Sequence, residues 1–320
     1  MINYRKNHKV SILIPCYNSE AFISETLNCC LNQTYQNIEV VLVDDGSKDK
    51  SLEIASKFED KRIKVISQSN SGACRARNLA FKNCTGDYIM YLDADDLISN
   101  TYVELLVNAL EGKSINTIAT GQWDRFHKDI KEATFPLLNI YKNYDQAFNL
   151  LIDMWTFGEM LACTSYLIPR GIVEKINGWD ETVLKNQDGE FFCRILIAGG
   201  NIVHVPNAKF YYRTGEYLTV SKANSKKKIA SMLDTFINYR KNALVHENSK
   251  RVREALSINF TLFIYLHGNQ YPDLYKRAKE EVNNLGVGYV LKNEPYRVKR
   301  ICKIIGFENF MTIRKILLKR

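Results

Sequence analysis

VSILIPCYNSEAFISETLNCCLNQTYQNIEVVLVDDGSKDKS, residues 10–51, is the stretch that decides the fold. VSILIP (10–15) is a short continuous apolar run. Phe22, Ile23, Leu27, Cys30 and Leu31 then recur at helical spacing through 19–33, and IEVVLVD (38–44) is again an apolar run. Runs without polar alternation read as strands buried on both faces, which is the habit of a parallel sheet with helical crossovers. Working outward, SLEIASKF (51–58) reads as helix, IKVIS (63–67) as strand, ACRARNLAFKNC (73–84) as helix and DYIMYL (87–92) as strand. The series predicts an α/β fold with a Rossmann-like, mainly parallel sheet and helices on both faces. Ligands of such sheets bind beyond the carboxyl ends of the strands. Pro15-Cys16-Tyr17-Asn18, Asp44-Asp45-Gly46-Ser47 and Asp93-Ala94-Asp95-Asp96 each follow a predicted strand, so three polar motifs are expected on one rim.

Further along, the pattern predicts helices at 100–111 and 188–198 and strands at 117–120, 164–169, 201–205 and 209–213. Helices are expected at 229–246, 251–266 and 274–285. This divides the chain into a first domain over 1–220 and a helical, basic region over 221–320. With 320 residues, 46% hydrophobic and 25% charged, the chain can bury a sizeable core. Its apolar stretches are too broken to span a bilayer, and the basic N-terminus meets Pro15 too early for a secretory signal. The eight cysteines include no C-x-x-C pair, so reduced thiols and a cytoplasmic setting are expected. The net charge of +9 suits several anionic partners and by itself selects none.

The DADD motif of 93–96 puts three carboxylates within four positions at the end of a buried strand, where they repel one another and call for positive charge. A solvated loop is one reading. A calcium loop needs more oxygen ligands than this stretch offers. Mg²⁺ bound through one or two carboxylates, with substrate phosphates completing the shell, needs no more than is present. Asp44 and Asp45 could form only a turn and a helix start, or could accept hydrogen bonds from a base or ribose. In NSGACRARNLAF (70–81), Gly72 precedes a helix whose Arg75 and Arg77 could face an anion or simply water.

Taken in order, these motifs, followed by NGWDE (177–181) and QDGEFFCRILIAGG (187–200), resemble the family-2 inverting glycosyltransferases of GT-A fold, bacterial surface-polysaccharide type. The resemblance is specific over 8–110, weaker to about 215 and absent beyond. It implies a nucleotide-sugar donor, usually UDP-linked, a divalent metal (Mn²⁺ or Mg²⁺), and a glycan or lipid-linked glycan acceptor. By carry-over, Tyr17 and Asp45 correspond to uracil contacts, with Pro15 shaping the strand end and Asp44 in support. Arg77 corresponds to a diphosphate contact, Asp93 to the ribose-side acid and Asp95 to the metal ligand, while Asp96 orients its neighbours. Asp188 takes the position of the catalytic base, although the preceding residue is Gln187 where the family usually has Glu; a bare N-cap aspartate is the alternative. A carboxylate near a helix N-terminus stays ionised, as a base must. Trp179 is an acceptor-side candidate for a sugar face or an ordinary packing residue.

Tyr212-Arg213 is followed by Gly215 and Glu216 where relatives often carry a histidine, which leaves a second metal ligand in doubt. No Q-x-x-R-W element of processive synthases is present. The final stretch, YRVKRICKIIGFENFMTIRKILLKR (296–320), sets eight basic residues against one acid, Glu308, with isoleucines between them. An amphipathic helix pair on an anionic membrane surface, peripheral on the inner face of the plasma membrane, is one reading, and a docked terminal helix is the other. A nucleotidyltransferase-like enzyme is disfavoured because no glycine-rich loop follows the first strand. A nucleic-acid binder is disfavoured because the positive charge is terminal rather than spread over a surface. A non-catalytic nucleotide-sugar binder remains an alternative.

Overall fold

The computed structural model describes residues 8–215 and 225–317, in two compact units. The first comprises residues 1–147, 161–181 and 198–217 and holds the sheet. In chain order its elements are β1 (Val10–Cys16), α1 (Ile23–Leu31), β2 (Ile38–Asp44), α2 (Ser51–Ser56), β3 (Ile63–Ser67), α3 (Ala73–Lys82), β4 (Tyr88–Tyr91), β5 (Leu97–Ile98), α4 (Tyr102–Leu110) and β6 (Ile118–Phe126). After α5 (Ala147–Phe157) come β7 (Tyr166–Pro169) and α6 (Arg170–Lys175), then α7 (Gln187–Ala198) and β8 (Ile202–Arg213). The eight strands run in the order β3-β2-β1-β4-β7-β6-β8-β5. β1 to β4 are mutually parallel, β7 is antiparallel to both β4 and β6, and β6 lies parallel to β8.

The expected mixed α/β architecture is therefore present, with differences in detail. The separate strands expected at 201–205 and 209–213 are one strand, β8. β6 runs beside it to Phe126, and a register shift at Gly121/Gln122 absorbs the irregularity. The sequence hid this because Pro206 and Asn207 look like a turn, yet a bulge accommodates them. The buried faces of β1 and β2 are nearly unbroken, with Val10, Ile12, Leu13, Ile14, Val40, Leu42 and Val43 fully covered, as a strand covered on both faces requires.

The chain winds from β1 through β2 to β3, then crosses back to place β4 on the other side of β1. The strand order reverses between β1 and β4, and the crevice beyond their carboxyl ends is the place where such sheets bind ligands.

The second unit takes residues 148–160, 182–197 and 218–320. The expected boundary at 220 lies outside the described residues, and most of α5 and α7 also belongs to this unit. The ring of Trp155 on α5 stacks on Tyr239 at 5.1 Å, an aromatic contact that spacing along the chain does not reveal. Its other elements are α8 (Lys226–His246), α9 (Lys250–His267), α10 (Pro272–Leu285), α11 (Tyr296–Ile305) and α12 (Phe307–Leu317). Ser225 and Ser249 cap α8 and α9 through their hydroxyls, while Pro272 opens α10 and the left-handed Gly286 closes it. Phe236 packs against Phe260 and Phe263 in the interior. No described helix is long and apolar enough to cross a membrane.

Candidate active site

The three strand-end motifs meet where expected. The Asp45 amide donates to the Cys16 carbonyl and the Leu92 amide to the Leu13 carbonyl, so the segments after β1, β2 and β4 leave the sheet side by side. Pro15 and Cys16 are the last residues of β1, and Tyr17 beyond them is 41% exposed. Burial and the neighbouring Asp44 push the Cys16 thiol up to about 12, away from the reactive thiolate form.

Asp45 is buried, and its carboxylate is already engaged. It accepts from the Gln68 side chain at 2.7 Å and from the amides of Ser71 and Gly72 at 2.7 and 2.8 Å. The backbone donors ahead of α3 are thus satisfied from within, and Asp45 fixes the loop 68–72. Asp44 is buried with only long contacts to the Ser47 amide and Ser67 hydroxyl, and its Oδ1 has no hydrogen-bond partner. Gly46 adopts φ +71° and a Cβ there would meet the Asn70 amide nitrogen at 2.8 Å, which explains the glycine of the DDG turn.

The two arginines of α3 separate by helical geometry. Cys74, Arg77 and Ala80 share the inward stripe, whereas Arg75 points outward to Glu181 at 2.9 Å. Arg77 donates to Asp93 at 2.9 Å, and its guanidinium lies 4.4 Å from the centroid of Trp179. Trp179 is 3% exposed and also meets Tyr91 edge to face. Of the two roles open to Trp179, the structure shows packing: the ring is a shelf for Arg77, and a sugar-stacking role does not fit a covered indole. Its amide and carbonyl are held by the side chain of Asn78 on α3.

The DADD loop divides its three carboxylates. Asp93 is held by Arg77. Asp96 is 2% exposed and accepts the Arg213 amide at 2.8 Å; burial, then the charges of Asp95 and Asp93, raise its pKa well above the usual carboxylate range. Asp96 is therefore a structural member of the loop. Asp95 is half-buried, and burial with the charge of Asp93 pushes it up to about 6. A carboxylate in that condition is short of positive charge and fits a divalent ion. Among the described residues no group of three or more His, Cys, Asp or Glu could hold a metal by itself. Asp95 suits the case in which a ligand's oxygens complete the shell.

Sequence reasoning overlooked what fixes this loop. The Thr26 hydroxyl on α1 donates to the carbonyls of Ala94 and Asp96, and Arg213 at the end of β8 donates through Nε to the Asp95 carbonyl at 2.7 Å. The available signal was Thr26 itself, a polar residue on the apolar stripe of Ile23, Leu27 and Cys30. Arg213 bears no such mark beyond its place in the Tyr212-Arg213 pair, and Glu216, which with Gly215 stands where relatives often carry a histidine, lies outside the described residues.

Asp188 lies in the first turn of α7, in the second unit, half-buried. Glu190, two residues on, is buried and bound by both Nε and a terminal nitrogen of Arg194 at 2.6 Å. Asn186, at φ +67°, donates to the Tyr239 hydroxyl, and a Cβ on Gly189 would run into that hydroxyl. The Asn-Gln-Asp-Gly turn is therefore shaped around Tyr239.

Residues 11–166 match the family described as Glycosyl transferase family 2. The glycosyltransferase GlyA of Streptococcus pneumoniae is 38% identical over 223 residues, covering 64% of this chain; the chain spans only 30% of GlyA's own length. A cholesterol galactosyltransferase of Borreliella burgdorferi is 26% identical over 98% of this chain and 92% of its own. Among solved structures, S. aureus TarS 1–349 in complex with UDP-GlcNAc superposes with a TM-score of 0.73 at 17% identity, covering 97% of this chain and 92% of that one. By its motifs, its family match over residues 11–166 and its fold, the chain carries a family-2 glycosyltransferase domain of GT-A type.

Proposed function

We propose that the chain moves a sugar from a UDP-sugar to a hydroxyl of a glycan or lipid-linked glycan, with inversion at the anomeric carbon, in cell-surface polysaccharide synthesis. The observation that carries this reading is the Arg77–Asp93 ion pair at 2.9 Å, beside Asp95, at the strand-order reversal. The UDP-GlcNAc complex of TarS supports the donor class, and the cholesterol acceptor named for the Borreliella relative supports a membrane-borne acceptor.

In this reading Tyr17 meets the uracil, while Asp45 contributes through the loop it anchors. Asp93 serves the ribose side, and Arg77 meets the diphosphate from its Trp179 shelf. Asp95 is the residue that would hold Mn²⁺ or Mg²⁺, whose charge, when bound, offsets that of the leaving diphosphate. Asp188 takes the proton of the acceptor hydroxyl as its oxygen forms a bond to the anomeric carbon. The bond from that carbon to the phosphate oxygen breaks with both electrons, and UDP departs.

The outer faces of α11 and α12 support attachment to an anionic membrane from the cytoplasmic side. Val298 and Cys302 face the unit's interior, whereas Ile301, Ile304, Arg297 and Arg300 are exposed. Residues 318–320 of the expected membrane-surface tail lie outside the described residues.

The test is release of nucleoside diphosphate from UDP-, GDP- and dTDP-sugars with Mn²⁺, Mg²⁺ or EDTA, on wild type, Asp95→Ala and Asp188→Asn. Release from a UDP-sugar that EDTA and Asp95→Ala abolish and Asp188→Asn strongly reduces is the expected result. Failure to bind or turn over any donor sinks the reading. Release untouched by Asp188→Asn removes the base assignment alone.

A further inference from the structure

We infer that Arg213 is the positioning residue of the donor and metal loop, a role that rests on the glycosyl-transfer reading of that loop. Its contacts converge on residues 93–96 from the end of a strand more than a hundred positions away. The backbone amide donates to the Asp96 carboxylate at 2.8 Å and Nε to the Asp95 carbonyl at 2.7 Å. A terminal nitrogen donates to Glu25 on α1 at 2.6 Å. The side chain is 8% exposed, with its guanidinium 4.5 Å from the Phe126 ring centroid and 4.9 Å from that of Phe22. A planar cation close to two rings, with its edge given to a carbonyl and a carboxylate, has little freedom left.

The consequence for chemistry lies in which groups Arg213 takes and which it leaves. It engages the Asp96 carboxylate through its own amide and the Asp95 backbone through its side chain, and it makes no recorded hydrogen bond to the Asp95 carboxylate. Arg77 likewise engages Asp93. The two arginines thus compensate the repulsion within the motif and leave the side chain of Asp95 as the carboxylate they do not hydrogen-bond. The pairing of β5 with β8, Leu97 with Tyr211 and Ile98 with Phe210, continues the attachment directly beyond the motif. Loop shape and charge balance therefore depend on the Arg213 side chain together with Thr26 and Arg77, and Arg213 acts through the loop rather than on the donor itself.

The variants are Arg213→Gln, Arg213→Lys and, as a milder change at an exposed partner, Glu25→Gln. The readouts are UDP affinity by calorimetry at fixed Mn²⁺, the Mn²⁺ midpoint at fixed UDP, and hydrogen exchange of peptides spanning 93–98 without ligand. Arg213→Gln is expected to weaken UDP binding and raise the Mn²⁺ midpoint, each by about tenfold or more, and to speed exchange of the loop. Arg213→Lys keeps the charge but loses the planar fork, so it is expected to stay close to Arg213→Gln. Glu25→Gln should give a shift of about threefold in the same direction, which keeps the test decisive if Arg213→Gln does not fold. Wild-type UDP affinity in a folded Arg213→Gln, or full recovery in Arg213→Lys, overturns the positioning role while leaving glycosyl transfer intact. A wild-type protein that binds no nucleotide overturns the underlying reading as well.

Discussion

The guanidinium of Arg77 rests 4.4 Å from the ring centroid of Trp179 while its terminal nitrogen holds Asp93 at 2.9 Å. A residue of the NGWDE loop thereby governs the direction of an arginine of the proposed donor site. Replacing Trp179 by Ala should cost about 3–5 kcal/mol of stability, as for other buried tryptophans. Trp179→Phe should retain most of the stability yet weaken UDP binding, because the smaller face supports Arg77 less well. Denaturant unfolding and UDP calorimetry on the two variants check this; unchanged UDP affinity in Trp179→Ala would deny the shelf its role.

Asp45 should act on loop order before it acts on nucleotide. In Asp45→Asn one oxygen becomes a donor facing other donors, at a cost of about 1–3 kcal/mol. Hydrogen exchange at Ser71 and Gly72, whose amides it accepts, should rise even without ligand. Protected amides in a variant that loses UDP binding would instead make Asp45 a direct base contact.

Glu39 gives the first unit a specific acid sensitivity. Burial pulls its carboxyl upward, but bonds from Lys9, Ser11 and the Thr85 amide outweigh this and hold it at about 2. A carboxyl whose folded pKa lies below its unfolded value stabilises the fold above the unfolded pKa, and that contribution is lost as pH falls towards 2. Stability of wild type should therefore fall more steeply than that of Glu39→Gln between about pH 4.5 and 2. Parallel pH profiles in urea melts would contradict it.

Gly189 is fixed by the hydroxyl of Tyr239. Gly189→Ala should destabilise the second unit by about 1–3 kcal/mol through overpacking. Combining it with Tyr239→Phe, which removes the clashing oxygen, should recover part of the loss. The double variant's melting temperature is the measurement, and strict additivity would count against the contact.

Membrane attachment is best tested without truncation. Deleting 310–320 would remove the buried Met311 and Arg314, which stacks on Tyr265 and donates to its carbonyl, and so would open the second unit. Arg297→Glu with Arg300→Glu touches only exposed positions and should lower co-sedimentation with anionic vesicles about tenfold or more, at roughly 1 kcal/mol per removed cation. Unchanged co-sedimentation would favour a docked tail that serves the fold alone.

By itself the sequence determined the alternation of strand and helix over 10–92, and with it the rim on which Tyr17, Asp45 and Asp93 gather. Local period and strand-end position are properties of neighbouring residues, and they survive folding unchanged. Only the tertiary structure decided that Trp179 supports an arginine, that Asp45 is spent on a loop, and that Asp96 is bound while Asp95 is left short of charge. Each of these depends on partners tens to more than a hundred positions away, brought together by the sheet, and a side chain's chemistry is set by the charge and water around it rather than by its place in the chain.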